Sequence, residues 1–203
     1  MSTITPTLPI ESPNLSEWIP SPLYRMSLEQ YEEMVKTGAF SDRDPVHLIN
    51  GYLVQKMTQH DPHSTADELC GRALDKAIPP GWHVRSAKPV RLPPSSKPEP
   101  DRSVVRGQIR DYSERSPGSA DIGLIVEIAV SSLAQDRMQA GIYAAAGIPL
   151  YWIVNLVGRQ VEVYSRPGTD GYKERTDYAA GQSVPVVLDG LQTGSIAVDD
   201  VLP

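Results

Sequence analysis

A single cysteine, Cys70, stands in 203 residues. One thiol cannot close an internal disulfide, so the fold is expected to rest on its core alone, in a reducing, cytoplasmic setting. No apolar run approaches the ~18 residues that a membrane-spanning helix needs, and no membrane partner is expected. The opening stretch, MSTITPTLPIESPNLSEWIPSP, has neither a basic start nor an apolar centre, the two marks of a secretory leader. Its Pro, Ser and Thr content reads as a loosely ordered lead-in over residues 1–25. Positive charge is short overall: a formal net charge of −6 gives no global pull toward nucleic acid or anionic lipid. A Gly-rich phosphate loop, a nucleophile elbow and a dinucleotide fingerprint are all missing. No internal repeat is visible.

What remains suits one α/β domain over residues 26–203. Ile122–Asn155 reads as strand, helix, strand. Ile122, Leu124, Ile125, Val126, Ile128 and Val130 form a nearly continuous apolar run, the pattern of a strand covered on both faces. Ser131 and Ser132 can cap the following helix, Gly147-Ile148-Pro149 ends it, and Tyr151-Trp152-Ile153-Val154 supplies a second buried strand. Upstream, Ser27-Leu28-Glu29-Gln30 is a capping box whose helix runs to Lys36. Val46–Ile49 and Tyr52–Met57 flank Asn50-Gly51, a strong hairpin signal. Asp61-Pro62 opens a helix with an apolar stripe that Pro79-Pro80-Gly81 stops. Trp82–Leu92 reads as a strand at an edge or with a bulge, because Pro89 interrupts it. Residues 93–100 read as an exposed connection, Asp101–Val105 as a short strand, and Arg106–Ser116 as a helix or a loop. Gln160–Ser165, Tyr172–Thr176 and Val184–Leu188 are further strands. The expected architecture is a mixed central β-sheet flanked by helices, with an N-terminal helix plus hairpin and a C-terminal β-hairpin extension.

Two carboxylates stand out. Glu127 lies inside an apolar strand, where a carboxylate costs several kcal/mol unless it is paired or binds a metal. Asp101 opens a strand 26 residues earlier. Neighbouring strands can bring both to one sheet edge, where their oxygens would hold a hard cation such as Mg²⁺. The ordinary alternative is that Glu127 salt-bridges an arginine. Pro100-Asp101 by itself carries little: 19 prolines and 14 aspartates give about one such pair by chance. His60 and His63, with only Asp61 between them and no cysteine nearby, make a poor zinc set. Charge is uneven as well. Arg85 to Arg115 carries +4 against −10 elsewhere, and Arg85, Lys88, Arg91, Arg102, Arg106 and Arg110 are candidates for a phosphate-tracking surface near Asp101, or simply a solvated face.

Pro100-Asp101, Glu127, Asp136-Arg137, Tyr143-Ala144-Ala145-Ala146-Gly147-Ile148-Pro149 and Tyr151-Trp152-Ile153-Val154 together resemble the Uma-two family of restriction-endonuclease-like domains, within the PD-(D/E)XK nuclease superfamily. Leu48-Ile49-Asn50-Gly51 and His63 match the same family, over roughly residues 26 to 190. The resemblance implies a restriction-endonuclease-like core, Asp101 and Glu127 as ligands for Mg²⁺ or Mn²⁺, DNA as substrate and His63 as a pocket residue.

Three departures qualify the activity. The superfamily signature has a lysine two residues after the second acid, and here that residue is Ala129. Family members carry the lysine instead on the next helix, but Asp136–Tyr143 contains none and is one residue short. Gln139 is the nearest polar substitute, in a register that the shortening leaves in question. His47 stands where the family usually has a glutamate. A lysine on that helix would stabilise the charged transition state, a contribution often worth several kcal/mol, and a neutral amide does this less well. Two readings therefore stand: a Mg²⁺-dependent DNA endonuclease, slow or impaired, with Asp101, Glu127 and Gln139 as the catalytic set and His63, Arg85, Lys88, Arg102 and Arg106 on the nucleic acid; or a non-catalytic nucleic-acid-binding or assembly protein that keeps the fold. A homodimer is open beside a monomer.

Overall fold

Ser27 begins the first helix as a capping box. Its hydroxyl accepts from the Gln30 amide at 3.2 Å, and the Gln30 side chain accepts from the Ser27 amide at 2.9 Å, which satisfies two of the orphan donors of a helix start. The structure is a computed structural model and describes residues 23–40, 44–56 and 61–203; most of the lead-in, Met57 and His60 lie outside them. Helix α1 (Leu28–Lys36) packs Leu28 and Tyr31 onto Leu48 of a hairpin. That hairpin is β1 (Val46–Ile49) and β2 (Tyr52–Gln55). Asn50 and Gly51 both have positive φ, +49° and +82°, as the two-residue turn requires. A side chain at Gly51 would also meet Arg25 Cβ at 2.7 Å.

Helix α2 (Asp61–Ala77) precedes the main sheet. Its strands are β3 (Trp82–Ser86), β4 (Arg102–Arg106), β5 (Ile122–Ala129), β6 (Leu150–Asn155), β7 (Gln160–Gly168) and β8 (Gly171–Ala179), side by side in chain order. All neighbours pair antiparallel except β5 and β6, which α3 (Leu133–Ala145) joins as a parallel crossover. A hairpin of β9 (Ser183–Leu188) and β10 (Leu191–Ala197) completes the chain. One sheet face presents Val104, Leu124, Val126, Ile128, Trp152 and Val154 to α2 and to the β9–β10 hairpin. The other presents Ile125, Ala129, Tyr151 and Ile153 to α3. Both faces being covered, all eight residues of β5 are buried, which is why the run is continuously apolar.

Several expectations change. Trp82–Leu92 is a strand only to Ser86. Ala87 then takes φ +45°, which ends the pleat, and β3 is the sheet edge where a following proline does no harm. Of the two alternatives for Arg106–Ser116 the loop is found, with a short 3-10 turn at Ile109–Tyr112. Ser132 is the N-cap of α3 without capping a backbone amide; its hydroxyl donates instead to Asp136 Oδ2 at 2.6 Å. The segment 93–100 is no exposed loop. Ser96, Pro98 and Pro100 are buried, and its few backbone donors and acceptors are taken up by distant chain. Leu28 N donates to Pro94 O, Gly51 N to Ser95 O, Lys97 N to Leu48 O and Val90 N to Pro98 O, all at 2.7–3.0 Å. It is a strap that ties α1 and the hairpin to the sheet.

Candidate functional site

Strand pairing brings the two acids together. Arg102 faces Val126 across the β4–β5 ladder, so Asp101, one residue before β4, faces Glu127, and opposite residues project to the same sheet side. The Asp101 amide donates to Glu127 Oε2 at 3.1 Å. The Ile128 amide donates to Asp101 Oδ2 at 2.8 Å. Each strand's backbone thus holds the other's carboxylate. Both acids line a pocket of about 200 Å³ with His47, Lys56, His63, Glu99, Asp136 and Gln139 among its walls, room for several waters.

From α2, His63 Nε2 lies 3.0 Å from Asp101 Oδ2. Burial alone would lower the His63 pKa, but the Asp101 hydrogen bond and charge, with Asp67 and Asp136, carry it above the ordinary histidine value. From α3, Tyr143, fully buried, donates its hydroxyl to Glu127 Oε1 at 2.9 Å. Gln139 Oε1 approaches the same hydroxyl at 3.4 Å, the weaker contact since one hydroxyl has one proton. Ser132, Asp136, Gln139 and Tyr143 recur at helical spacing and form one face of α3. The short Asp136–Tyr143 stretch therefore does not turn Gln139 away from the pocket.

Burial, then the charges of Asp101 and Asp136, hold Glu127 well above the ordinary carboxylate range. Asp136 is raised to about 6 by burial and by Asp101. Among the described residues no lysine or arginine is ion-paired with Glu127, so the salt-bridge alternative does not hold there. Nor do three or more His, Cys, Asp or Glu side chains among the described residues form a ready-made metal cage. Two hard carboxylates with waters are a sufficient set for Mg²⁺, which keeps much of its hydration shell. Desolvated, mutually repelling carboxylates are also those that a cation would relieve. The donor set fits a divalent ion held by Asp101 and Glu127.

The basic candidates do not share one surface. Arg102 is locked to Asp67 of α2 by two hydrogen bonds, at 2.6 and 2.7 Å. Arg106 stacks over Trp82, 4.3 Å from the ring centroid, and pairs with Asp189. Arg85 faces the Tyr112 ring at 5.6 Å with Nη1 buried and unpartnered. Strand alternation divides them, since Arg85 pairs with Ser103 in the register one residue away from Arg102. Lys88 is exposed beside Ala87, which lines the pocket. Cys70 is fully buried, and burial pushes its thiol up to about 12, so it is core and no nucleophile.

Sequence reasoning left Asp136, Glu99 and Lys56 out of the site. Asp136 was legible as the residue three before Gln139 and seven before Tyr143. Glu99 and Lys56 reach the pocket through non-local contacts. His47, which replaces the expected hairpin acid, lines the pocket with both ring nitrogens buried and unpartnered; burial lowers its pKa, with the charge of Glu99 opposing and that of Lys56 adding to the fall.

A six-stranded mixed sheet between helices, with paired acids at the end of its central strands, defines a restriction-endonuclease-like protein. Among solved structures, that of a putative nuclease from Anabaena variabilis aligns with a TM-score of 0.64 over 87% of this chain and 97% of its own, at 17% identity. At that identity the likeness establishes the fold. The Uma2 family model, described as putative restriction endonuclease, matches residues 28–199, and the chain belongs to that family. No curated protein matches it. Among the described residues no helix is long and apolar enough to cross a membrane.

Proposed function

We propose that this protein is a divalent-metal-dependent DNA endonuclease, with Asp101 and Glu127 holding Mg²⁺ or Mn²⁺. The observation that carries this reading is the reciprocal backbone lock between Asp101 and Glu127 in a pocket where, among the described residues, Glu127 has no lysine or arginine ion-pair partner. When bound, the ion would polarise a phosphodiester and lower the pKa of the attacking water. The chain's own residues fix the rest. Tyr143 orients the Glu127 carboxylate, and His63 braces Asp101 from the α2 side. Gln139 offers a neutral hydrogen bond from α3. Asp136 adds negative charge that favours cation binding.

A non-catalytic nucleic-acid-binding or assembly role is the second reading, and it is favoured by Ala129 and Gln139, which stand where the family resemblance leads one to expect a lysine. Plasmid nicking with and without Mg²⁺ or Mn²⁺ separates the two. The nuclease reading expects divalent-dependent nicking that Asp101→Asn abolishes. Salt-dependent DNA binding without nicking supports the second reading, and unaltered nicking by Asp101→Asn removes Asp101 from the mechanism.

A further inference from the structure

The pocket contains a strong cation that no motif on α3 announces. Lys56 follows β2, and its backbone amide is fixed to Pro45 O at 2.7 Å. Its Nζ lies 2.7 Å from Glu99 Oε2, with the two side chains 34% and 25% exposed. Lys56 and Glu99 line the same pocket as Asp101, Glu127 and Gln139, and Lys56 is the one lysine or arginine in that lining among the described residues. Glu99 is placed by the strap two residues before Asp101, so the pair is carried on the segment that delivers the metal-binding aspartate. Arg102 and Arg106, by contrast, are committed to Asp67 and Asp189.

We propose that Lys56 is a catalytic residue that supplies, from the hairpin side, the ammonium that α3 lacks. The inference rests on the nuclease reading and deepens it. In hydrolysis of a phosphodiester, a water oxygen forms the new P–O bond and the bond to one ester oxygen breaks. The products are a phosphate monoester and an alcohol. The water's proton passes to solvent or a base, and the leaving oxygen takes up a proton. Negative charge builds on the non-bridging oxygens between these events. An ammonium has three donors, of which the ion pair with Glu99 uses one. Lys56 answers that charge by hydrogen bonding, while Glu99 sets where the ammonium stands.

The competing account is a structural staple between hairpin and strap. A partly exposed pair of this kind contributes little to stability, and a staple has no reason to be replaceable by a cation on another element. The test compares the full-length wild type with Lys56→Gln, Lys56→Arg and the double variant Lys56→Gln/Gln139→Lys. Plasmid nicking in Mg²⁺ and Mn²⁺, Mn²⁺ affinity by calorimetry and melting temperature are the readouts. Lys56→Gln is expected to lower the nicking rate by about 10²–10³-fold, the loss typical of one transition-state donor. Mn²⁺ affinity should be unchanged within about threefold and the melting temperature within about 4 °C. Lys56→Arg should retain part of the rate, and Gln139→Lys in the Lys56→Gln background should recover at least about tenfold. Nicking by Lys56→Gln at the wild-type rate overturns the role of Lys56 and leaves the nuclease reading standing. Loss of Mn²⁺ binding together with nicking, or no recovery in the double variant, overturns it in favour of the staple. A wild type that nicks in neither metal defeats the nuclease reading, and this inference falls with it.

Discussion

The Asp101 amide donates to Glu127 Oε2, and the amide following Glu127 donates back to Asp101 Oδ2, at 3.1 and 2.8 Å. The relative position of the two acids is therefore a property of the β4–β5 pairing rather than of side-chain rotamers. A site built this way is stiff, because moving either carboxylate means breaking a bond to backbone. It is also crowded with negative charge, and that has measurable consequences.

Asp136 should make the metal-free protein less stable as pH rises. Its folded pKa of about 6 exceeds the model-peptide value of 3.8, so between those pH values the folded state holds more protons than the unfolded one. Stability then falls with increasing pH across that window and levels off above it, by up to roughly 3 kcal/mol. Asp136→Asn keeps an oxygen to accept from Ser132 and removes the titration. In EDTA the variant should match the wild type near pH 4 and exceed it in melting temperature at pH 7 to 8. Parallel pH curves for the two proteins would contradict this assignment.

Tyr143→Phe removes the hydroxyl that donates to Glu127 Oε1 without changing the ring that packs in the core. That bond favours the ionised carboxylate, so its loss raises the Glu127 pKa further. The cost should be greater at pH 8, where the carboxyl is more ionised, than at pH 5, by at most about 1.5–3 kcal/mol. Denaturant midpoints at the two pH values check this; an equal loss at both would mean that only packing changed.

Gly71→Ala sets two effects against each other. Alanine improves intrinsic helix propensity by about 1 kcal/mol. A Cβ at this position, however, would stand 2.8 Å from Arg102 Cζ and Nη1, and the guanidinium is pinned by Asp67 and only 14% exposed. Displacing one partner of such a pair costs about 3–5 kcal/mol when the pair is fully broken. The net expectation is destabilisation of about 1–3 kcal/mol in chemical denaturation. A stabilised variant would show that the arginine shifts freely.

Much of this fold is visible in local sequence because its signals are local. The Ser27 capping box, the Asn50-Gly51 turn, the apolar β5 run and Gly147 with φ +76° each specify geometry within a few residues. The site is less legible because its walls are not. Residues 93–100 have the composition of a solvated loop, and only the hydrogen bonds from Leu28, Gly51 and Lys97 reveal a buried strap. Lys56 and Glu99 are 43 residues apart, so no motif window contains both. The β10 strand begins with exposed Leu191 and Gln192 and contains Gly194, which blurs its alternation.

The strap also decides how far from the acids a damaging change can lie. Gly51 donates to Ser95, Asn50 donates to Ser96 Oγ, and Lys97 donates to Leu48; Glu99 and Asp101 follow within a few residues. The hairpin turn thus has leverage on the pocket floor. A substitution at Asn50 or Gly51, in a turn with no chemistry of its own, alters where two carboxylates stand. Loss-of-function variants should accordingly fall in two separated clusters, one around the acids and one around a turn that touches neither.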